Sequence, residues 1–368
     1  MVAPDPVTSG PVVSVIVPAR NEEACLGACL ESLVAQSGVS FEIIVVDDGS
    51  SDRTREIAQS FPSLRVVPAG PLPEGWTGKN NAMGTGVKQA RGRWLLFTDA
   101  DTVHRPGSLV HALEEARQHG AALLSYSPEQ EVHSVWEKTV MPVIFAELAA
   151  TYQPSRVSDP ASTAAAANGQ YLLISREAYD AVGGHAAVAG SLLEDVALAR
   201  AVKASGRKIF FRFGGDALRT RMYCSFAQLR EGWTKNLALL FPAPGRLAVL
   251  RMTEFLLILG AVVVAIAEML RAKPHLAVMP VVLAVVFYLL FLARIRQAHF
   301  SWDADVLSLF GLPLFSYLLL RSRLSYKKGS VSWKGRSYGS SPPHQLPTPS
   351  GAVVKETALT PALTQPRK

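Results

Sequence analysis

The chain carries little charge and few cysteines for its length. Asp, Glu, Lys and Arg make up 18% of 368 residues, against 49% hydrophobic residues. A wholly disordered chain has the opposite balance and is excluded. Three cysteines cannot staple a fold of this size, so a disulfide scaffold is excluded as well. Cys25 and Cys29 stand four apart, as on one helix, and Cys224 stands alone. Two readings of the pair are open, helix packing or half of a zinc site, but no second pair of ligands lies near it. No basic stretch followed by an apolar one opens the sequence, so the expectation is a domain that folds in the cytoplasm. After the first apolar run comes Ala19-Arg20-Asn21-Glu22 rather than G-x-G-x-x-G, and Gly84-Thr85-Gly86 is followed by Gln89 where a third glycine belongs. That speaks against a nicotinamide-binding enzyme. Gly78-Lys79 is no P-loop, because Asn80 and Pro73 replace required residues. Zinc-finger, basic-zipper and RNA-binding patterns are missing, so no nucleic-acid partner is expected. Ser-His-Asp and Cys-His arrangements of recognisable spacing are missing too.

What is present begins with alternation. Apolar runs at 12–17, 41–46, 64–67 and 94–97 read as buried strands. Helical stretches separate them: one from an Asn21 cap to about 36, a short one from about 52, and one over 79–90. Strands alternating with helices predict an α/β fold with a mostly parallel sheet. Ligands of such sheets bind beyond the carboxyl ends of the strands. Further on, 133–152 reads as a helix, either amphipathic at a membrane surface or facing a core. A strand is expected within 164–175, a helix over 194–205, a strand over 208–213 and a helix over 225–240.

The last third changes character. Apolar segments at about 253–270, 276–293 and 306–320 account for the mean hydropathy of +0.19. The first two are long enough to cross a bilayer; the third is short and interrupted by Pro313. Net charge is +7, and six Lys or Arg residues with no Asp or Glu lie between Arg321 and Arg336. A basic cluster directly after an apolar run points to the cytoplasmic membrane face. An even number of crossings, two, keeps that cluster on the side of the N-terminal domain. The expected division is a flexible start over 1–11, an α/β domain over 12–236, a membrane region over 237–325, and a basic then disordered tail over 326–368.

Four polar clusters carry the chemistry. Asp99 and Asp101 follow the strand 94–97, and alternation along a strand would set both on one side. Two hard carboxylates suit Mg²⁺ or Mn²⁺ together with phosphate oxygens; the plain alternative is a solvated acidic turn. Asp47-Asp48-Gly49 could accept hydrogen bonds from a base or ribose, or cap the next helix. Glu194-Asp195 could take a proton from a hydroxyl, or favour a helix N-terminus through its dipole. Arg230 and Trp233, within QLREGW at 228–233, could pair with diphosphate and stack on a sugar, or form an interfacial belt.

Their order is more specific than any one of them. VSVIVPARNE at 13–22, VVDDGSSD at 45–52, FTDAD at 97–101, Glu194-Asp195 and QLREGW resemble the family 2 glycosyltransferases of GT-A fold over residues 12–236. GWTGK at 75–79, REAYDAVGGH at 176–185 and VSWKGR at 331–336 resemble a membrane-bound subgroup that includes hopanoid-associated and carotenoid glycosyltransferases. The resemblance implies an inverting enzyme that moves a sugar from a UDP-sugar to a lipid acceptor with a divalent metal. Pro18 and Glu22 would border the nucleotide pocket, and Asp47 or Asp48 would hold uracil or ribose. Asp101 with Asp99 would bind the metal and diphosphate, Lys79 would reach a phosphate, and Asp195 would be the base, beside Glu194. Arg230 and Trp233 would correspond to a Gln-x-x-Arg-Trp element that is altered here, with Arg one position early and Trp one position late. A polyprenyl-phosphate acceptor is the alternative, given Arg219, Arg221 and Arg230. A non-catalytic nucleotide-sugar-binding scaffold is the alternative of another class.

Overall fold

The computed structural model describes residues 10–338. The expectations for 1–9 and 339–368 lie outside the described residues. The first half alternates as expected: β1 (Val13–Ala19), α1 (Leu26–Val34), β2 (Phe41–Asp47), α2 (Thr54–Gln59), β3 (Arg65–Pro68), α3 (Gly78–Gln89) and β4 (Trp94–Phe97). There follow β5 (Thr102–His104), α4 (Ser108–His119), β6 (Leu123–Ser127) and β7 (Glu129–Gln130). Next come α5 (Val135–Thr151), α6 (Pro154–Ser158), β8 (Leu172–Ser175), α7 (Arg176–Ala181), α8 (Gly184–Ala187), α9 (Glu194–Ala204), β9 (Ile209–Phe213) and β10 (Leu218–Thr220).

Seven strands form one sheet in the order β3-β2-β1-β4-β8-β6-β9. Only β8 runs against its neighbours. β1 is buried along almost its whole length, as a strand covered by helices on both faces must be. One face packs Leu26, Leu30, Leu109 and Leu113 of α1 and α4 against β1, and the other packs Ala82, Met83, Leu198 and Val202 of α3 and α9. The chain leaves β1 toward β2 on one side and returns as β4 on the other. That reversal opens a crevice at the carboxyl ends of β1, β2 and β4. A small sheet, β5-β10-β7, closes one side of it.

The α1 helix starts four residues later than its sequence suggests, with Cys25 rather than Asn21 at the cap position. Asn21 does not cap it: its backbone is left-handed (φ 53°), and its Oδ1 accepts from the Ser51 N–H at 2.9 Å. The side chain thereby ties the β1 loop to the β2 loop. Cys29 is buried in the core between α1 and the sheet.

The remaining elements are helical: α10 (Phe226–Leu240), α11 (Pro244–Leu270), α12 (Pro274–Ile295), α13 (Trp302–Leu307) and α14 (Gly311–Lys327). A hairpin, β11 (Val331–Trp333) and β12 (Arg336–Tyr338), follows. Of the two readings of α5, the core-facing one holds. Its Val140, Val143 and Ile144 pack with Trp233 and Leu237 of α10 and with Phe315 and Leu318 of α14. A reciprocal Ser134–Glu137 capping box starts it. The spans Pro244–Leu270, Pro274–Ala298 and Trp302–Lys327 are long and apolar enough to cross a membrane. The first two are largely uncovered by protein, whereas half of the third's most apolar stretch is buried.

An ion network ties this helical layer together. Arg251 of α11 pairs with Glu147 of α5 at 2.8 Å and with Glu254 at 2.9 Å. Arg294 of α12 meets Glu254 at 2.8 Å and Glu147 at 3.4 Å. Removing Glu147 leaves the two half-buried arginines sharing Glu254 alone. Glu147→Ala is therefore expected to cost about 3 kcal/mol of stability, read as a lower melting temperature in detergent, with Glu147→Gln losing less.

Candidate active site

Loops at the carboxyl ends of β1, β2 and β4, the turn before β8, the start of α9 and one face of α10 line a single cavity of about 890 Å³. Of the residues singled out in the sequence, Pro18, Glu22, Asp48, Lys79, Asp99, Asp101, Glu194, Asp195 and Trp233 line it. Asp47 and Arg230 do not. Asp47 ends β2 and its Oδ1 accepts from the Ser50 N–H at 3.0 Å; its neighbour Asp48 faces the cavity. The two readings offered by the pair thus resolve into a turn-forming Asp47 and a cavity-facing Asp48. Gly49 makes the turn possible, with φ at 72°. Arg230 is exposed. It lies two residues from both Gln228 and Gly232, which line the cavity, so it points about 200° away from them around the helix.

Asp99 and Asp101 are not strand residues. They occupy a turn between β4 and β5 in which the Thr102 N–H donates to the Asp99 carbonyl at 3.2 Å. The Thr220 hydroxyl donates to the Asp101 carbonyl at 3.0 Å. Thr98 in turn donates to the Gln170 carbonyl at 2.9 Å, joining this turn to the one before β8. Strand alternation therefore gave the right proximity for the wrong reason: a braced turn brings both carboxylates to the cavity.

Asp99 and Glu194 share one counterion. Lys79 Nζ lies 2.7 Å from Asp99 Oδ1 and 2.8 Å from Glu194 Oε1. Burial alone would lower the lysine pKa, but the charges of Asp99, Glu194 and Asp195 outweigh it and hold the ammonium well above its ordinary range. Burial likewise works to raise Glu194, and the charges of Lys79 and Lys235 bring it below its usual value instead. Asp195 is held by backbone donors, from Gly169 at 2.8 Å and Val196 at 2.7 Å. Its carboxyl is nevertheless pushed up to about 6, by burial first and then by the Glu194 charge. A carboxylate poised there can accept a proton near neutrality.

Asp101 is pushed up to about 7, by burial and by the charges of Asp99 and Glu22, with Lys334 and Lys79 opposing. Among the described residues its carboxylate receives only a long hydrogen bond from Thr102 Oγ1, at 3.4 Å. A half-buried, poorly partnered carboxylate beside a second one is a donor set that fits a hard divalent cation.

Sequence reasoning missed several lining residues. Lys235 and Asn236 share the α10 face with Gln228 and Gly232, and helical spacing from Gln228 could have found them. Trp333, Lys334, Arg336 and Tyr338 of the final hairpin also line the cavity. Trp333, Lys334 and Arg336 fall in the VSWKGR segment and the last two in the basic cluster, while Tyr338 carried no signal. The indole N–H of Trp233 and the side-chain carbonyl of Asn236 are buried without a hydrogen-bond partner among the described residues. The rest of the lining includes Phe145, Leu148 and Tyr152 of the α5 helix and its end, with Phe211 and Phe213 of β9.

Clustered carboxylates at a topological switch point, one of them poised near neutrality, with an apolar annex, define an enzyme site. The kind of enzyme follows from similarity. Residues 14–183 match the family model described as Glycosyl transferase family 2. The chain is a glycosyltransferase with a family 2 domain. It is 28% identical over 339 residues to the 4,4'-diaponeurosporenoate glycosyltransferase of Staphylococcus aureus (strain USA300), covering 89% of this chain and 88% of the relative. Among solved structures, it is similar to the mannosyltransferase PcManGT from Pyrobaculum calidifontis in complex with GDP-Man and Mn²⁺, with 16% identity, coverage of 88% and 89%, and a TM-score of 0.49. It is also similar to glucosyl-3-phosphoglycerate synthase from Mycobacterium tuberculosis in complex with Mn²⁺, UDP and phosphoglyceric acid, with 23% identity, coverage of 63% and 78%, and a TM-score of 0.43.

Proposed function

We propose that the enzyme transfers a sugar from a UDP-sugar to a lipid acceptor of polyisoprenoid kind, hopanoid- or carotenoid-like, with inversion at the anomeric carbon. One observation carries this reading: the same cavity is lined by the acidic strand-end loops and by aromatic and aliphatic residues of α5 and α10, which pack on the apolar helices. A polar donor and an amphiphilic acceptor can meet there. The relative's name, which specifies a carotenoid-type carboxylate, supports a lipid acceptor.

Asp48, with Pro18 and Glu22, would hold the nucleoside. Asp101 and Asp99 would hold a divalent cation with the diphosphate. When bound, such a cation neutralises charge that develops on the departing UDP. Lys79 keeps Asp99 and Glu194 in place. Asp195 takes the proton of the acceptor hydroxyl as its oxygen bonds to the anomeric carbon. The bond from that carbon to the diphosphate oxygen breaks on the opposite face, and UDP leaves with the electron pair. The unpartnered Trp233 N–H and Asn236 carbonyl would receive polar groups of donor sugar or acceptor.

Because Asp195 must be ionised to act and its carboxyl sits at about 6, activity is expected to be lost as pH falls through that value. The kcat/KM for the acceptor should be flat above about pH 7 and fall tenfold per unit well below 6. A rate independent of pH between 5 and 7 would remove Asp195 from the base role.

A polyprenyl-phosphate acceptor would need spare cations at the mouth. Arg221 lines the cavity but spends its guanidinium on Glu137, at 3.0 and 3.1 Å. Arg219 pairs with Glu131 at 2.8 Å, and Arg230 points away. These three arginines give a phosphate acceptor no support; Lys235, which also lines the cavity, is the cation it would have to use.

The membrane arrangement that fits best has α11 and α12 crossing as a hairpin. The α14 helix, half covered by protein, stays on the near side. Contact between the final hairpin and the β2 loop supports this even number of crossings, because it puts the chain's basic segment on the side of the sheet domain. The sheet domain would then face the cytoplasm.

A further inference from the structure

The segment after the last apolar helix does not trail away. Val331 pairs with Tyr338 and Trp333 with Arg336 around a Lys334-Gly335 turn, whose φ values are 47° and 76°. This two-residue hairpin returns to the crevice some 290 residues back along the chain. Arg336 grips the Asp48 carboxylate with both terminal nitrogens, at 2.5 and 2.9 Å. Lys334 pairs with the Glu22 carboxylate and donates to the Arg20 carbonyl at 3.1 Å. Arg20 closes the circuit, donating to the carbonyls of Asp48 at 2.6 Å and Lys334 at 3.4 Å.

The fit is built into α3. A methyl group on Gly78 would stand 1.5 Å from Arg336 Nη1 and 2.5 Å from Asp48 Oδ2, so only glycine lets the guanidinium lie against this helix start. Neither cation is sealed off: Lys334 and Arg336 keep 27% and 23% of their side-chain surface exposed, and both line the cavity. Without them the strand-end side of the cavity would present Glu22, Asp48, Asp99 and Asp101 against Lys79 and Arg20. An anionic ligand would meet net repulsion there.

We propose that the hairpin is a wall of the donor pocket and that Arg336 and Lys334 are ligands of the nucleoside diphosphate. The inference rests on the donor reading above. The hairpin brings two cations to carboxylates that flank the pocket, and a diphosphate suits a guanidinium at least as well as a carboxylate does. Donor binding thus depends on residues that come after all three apolar helices.

The test is UDP binding with Mn²⁺ to the full-length protein in detergent, by calorimetry, with uridine affinity obtained by competition. Arg336→Gln and Lys334→Gln are each expected to weaken UDP by at least about tenfold, with uridine changed less than twofold; losing the pairs with Asp48 and Glu22 lowers the melting temperature, whereas the UDP-to-uridine comparison reads the ligand role. Gly78→Ala, which crowds both the guanidinium and the Asp48 carboxylate, should weaken UDP at least as much as Arg336→Gln does. Unchanged UDP affinity in both hairpin variants would overturn the proposal. So would equal losses for UDP and uridine, which would make the hairpin a structural latch. A folded wild type that binds no UDP would instead sink the donor reading, and this inference with it.

Discussion

Replacing Asp195 with Asn is expected to lower sugar transfer by about 10²–10⁴-fold while leaving UDP affinity within twofold. The amide keeps the shape, and its oxygen can still accept the Gly169 or the Val196 N–H. What it loses is the capacity to take a proton. The position suits that task because burial and Glu194 hold the carboxyl near 6 rather than near 4, so it is ionised at pH 7 yet basic enough to matter. Among the described residues no Lys or Arg forms an ion pair with Asp195; Lys79 is engaged by Asp99 and Glu194. A variant that retains its rate would take Asp195 out of the base role. It would point to an acceptor that arrives already ionised, as a carboxylate.

Asp101→Ala is the second large effect. Transfer should fall by about 10²-fold or more, and the response of the remaining activity to Mn²⁺ should disappear or shift to far higher concentration. The reasoning is electrostatic. Asp101 is half-buried next to Asp99 and Glu22 with little hydrogen bonding, an arrangement that is costly without a cation. The variant should not be less stable than the wild type, because an unfavourable buried charge has been removed. A metal titration that looks the same in both proteins would count against this pair as the cation site.

Most of the architecture was legible because it follows from local rules. Near-continuous apolar runs gave β1, β2 and β4 to within two residues, and their spacing by helices gave the parallel sheet. The acidic clusters stood out because they follow strands of a mostly parallel sheet, at whose carboxyl ends ligands bind. What was not legible arises from contacts distant in sequence. The Asn21 side chain serves the β2 loop thirty residues away and so cannot cap α1. The phase of α10, fixed by packing on α5 and α14, decides that Lys235 and Asn236 face the cavity and Arg230 does not. The third apolar segment looked short for a membrane span. In the structure it is a helix half covered by protein, which hydropathy alone cannot distinguish from a lipid-facing one. Lys334 and Arg336 read as part of a basic membrane-facing cluster, yet their partners are Glu22 and Asp48. Composition supplied their charge; only the fold supplied the address.

The most direct test of the account is calorimetric titration of UDP into the detergent-solubilised full-length wild type, first with Mn²⁺ and then with EDTA. The account predicts saturable binding with one UDP per chain that weakens by at least about tenfold when the metal is removed. A folded sample that binds no UDP under either condition, or binds it equally well in EDTA, would contradict a metal-assisted UDP-sugar site between Asp48 and Asp101.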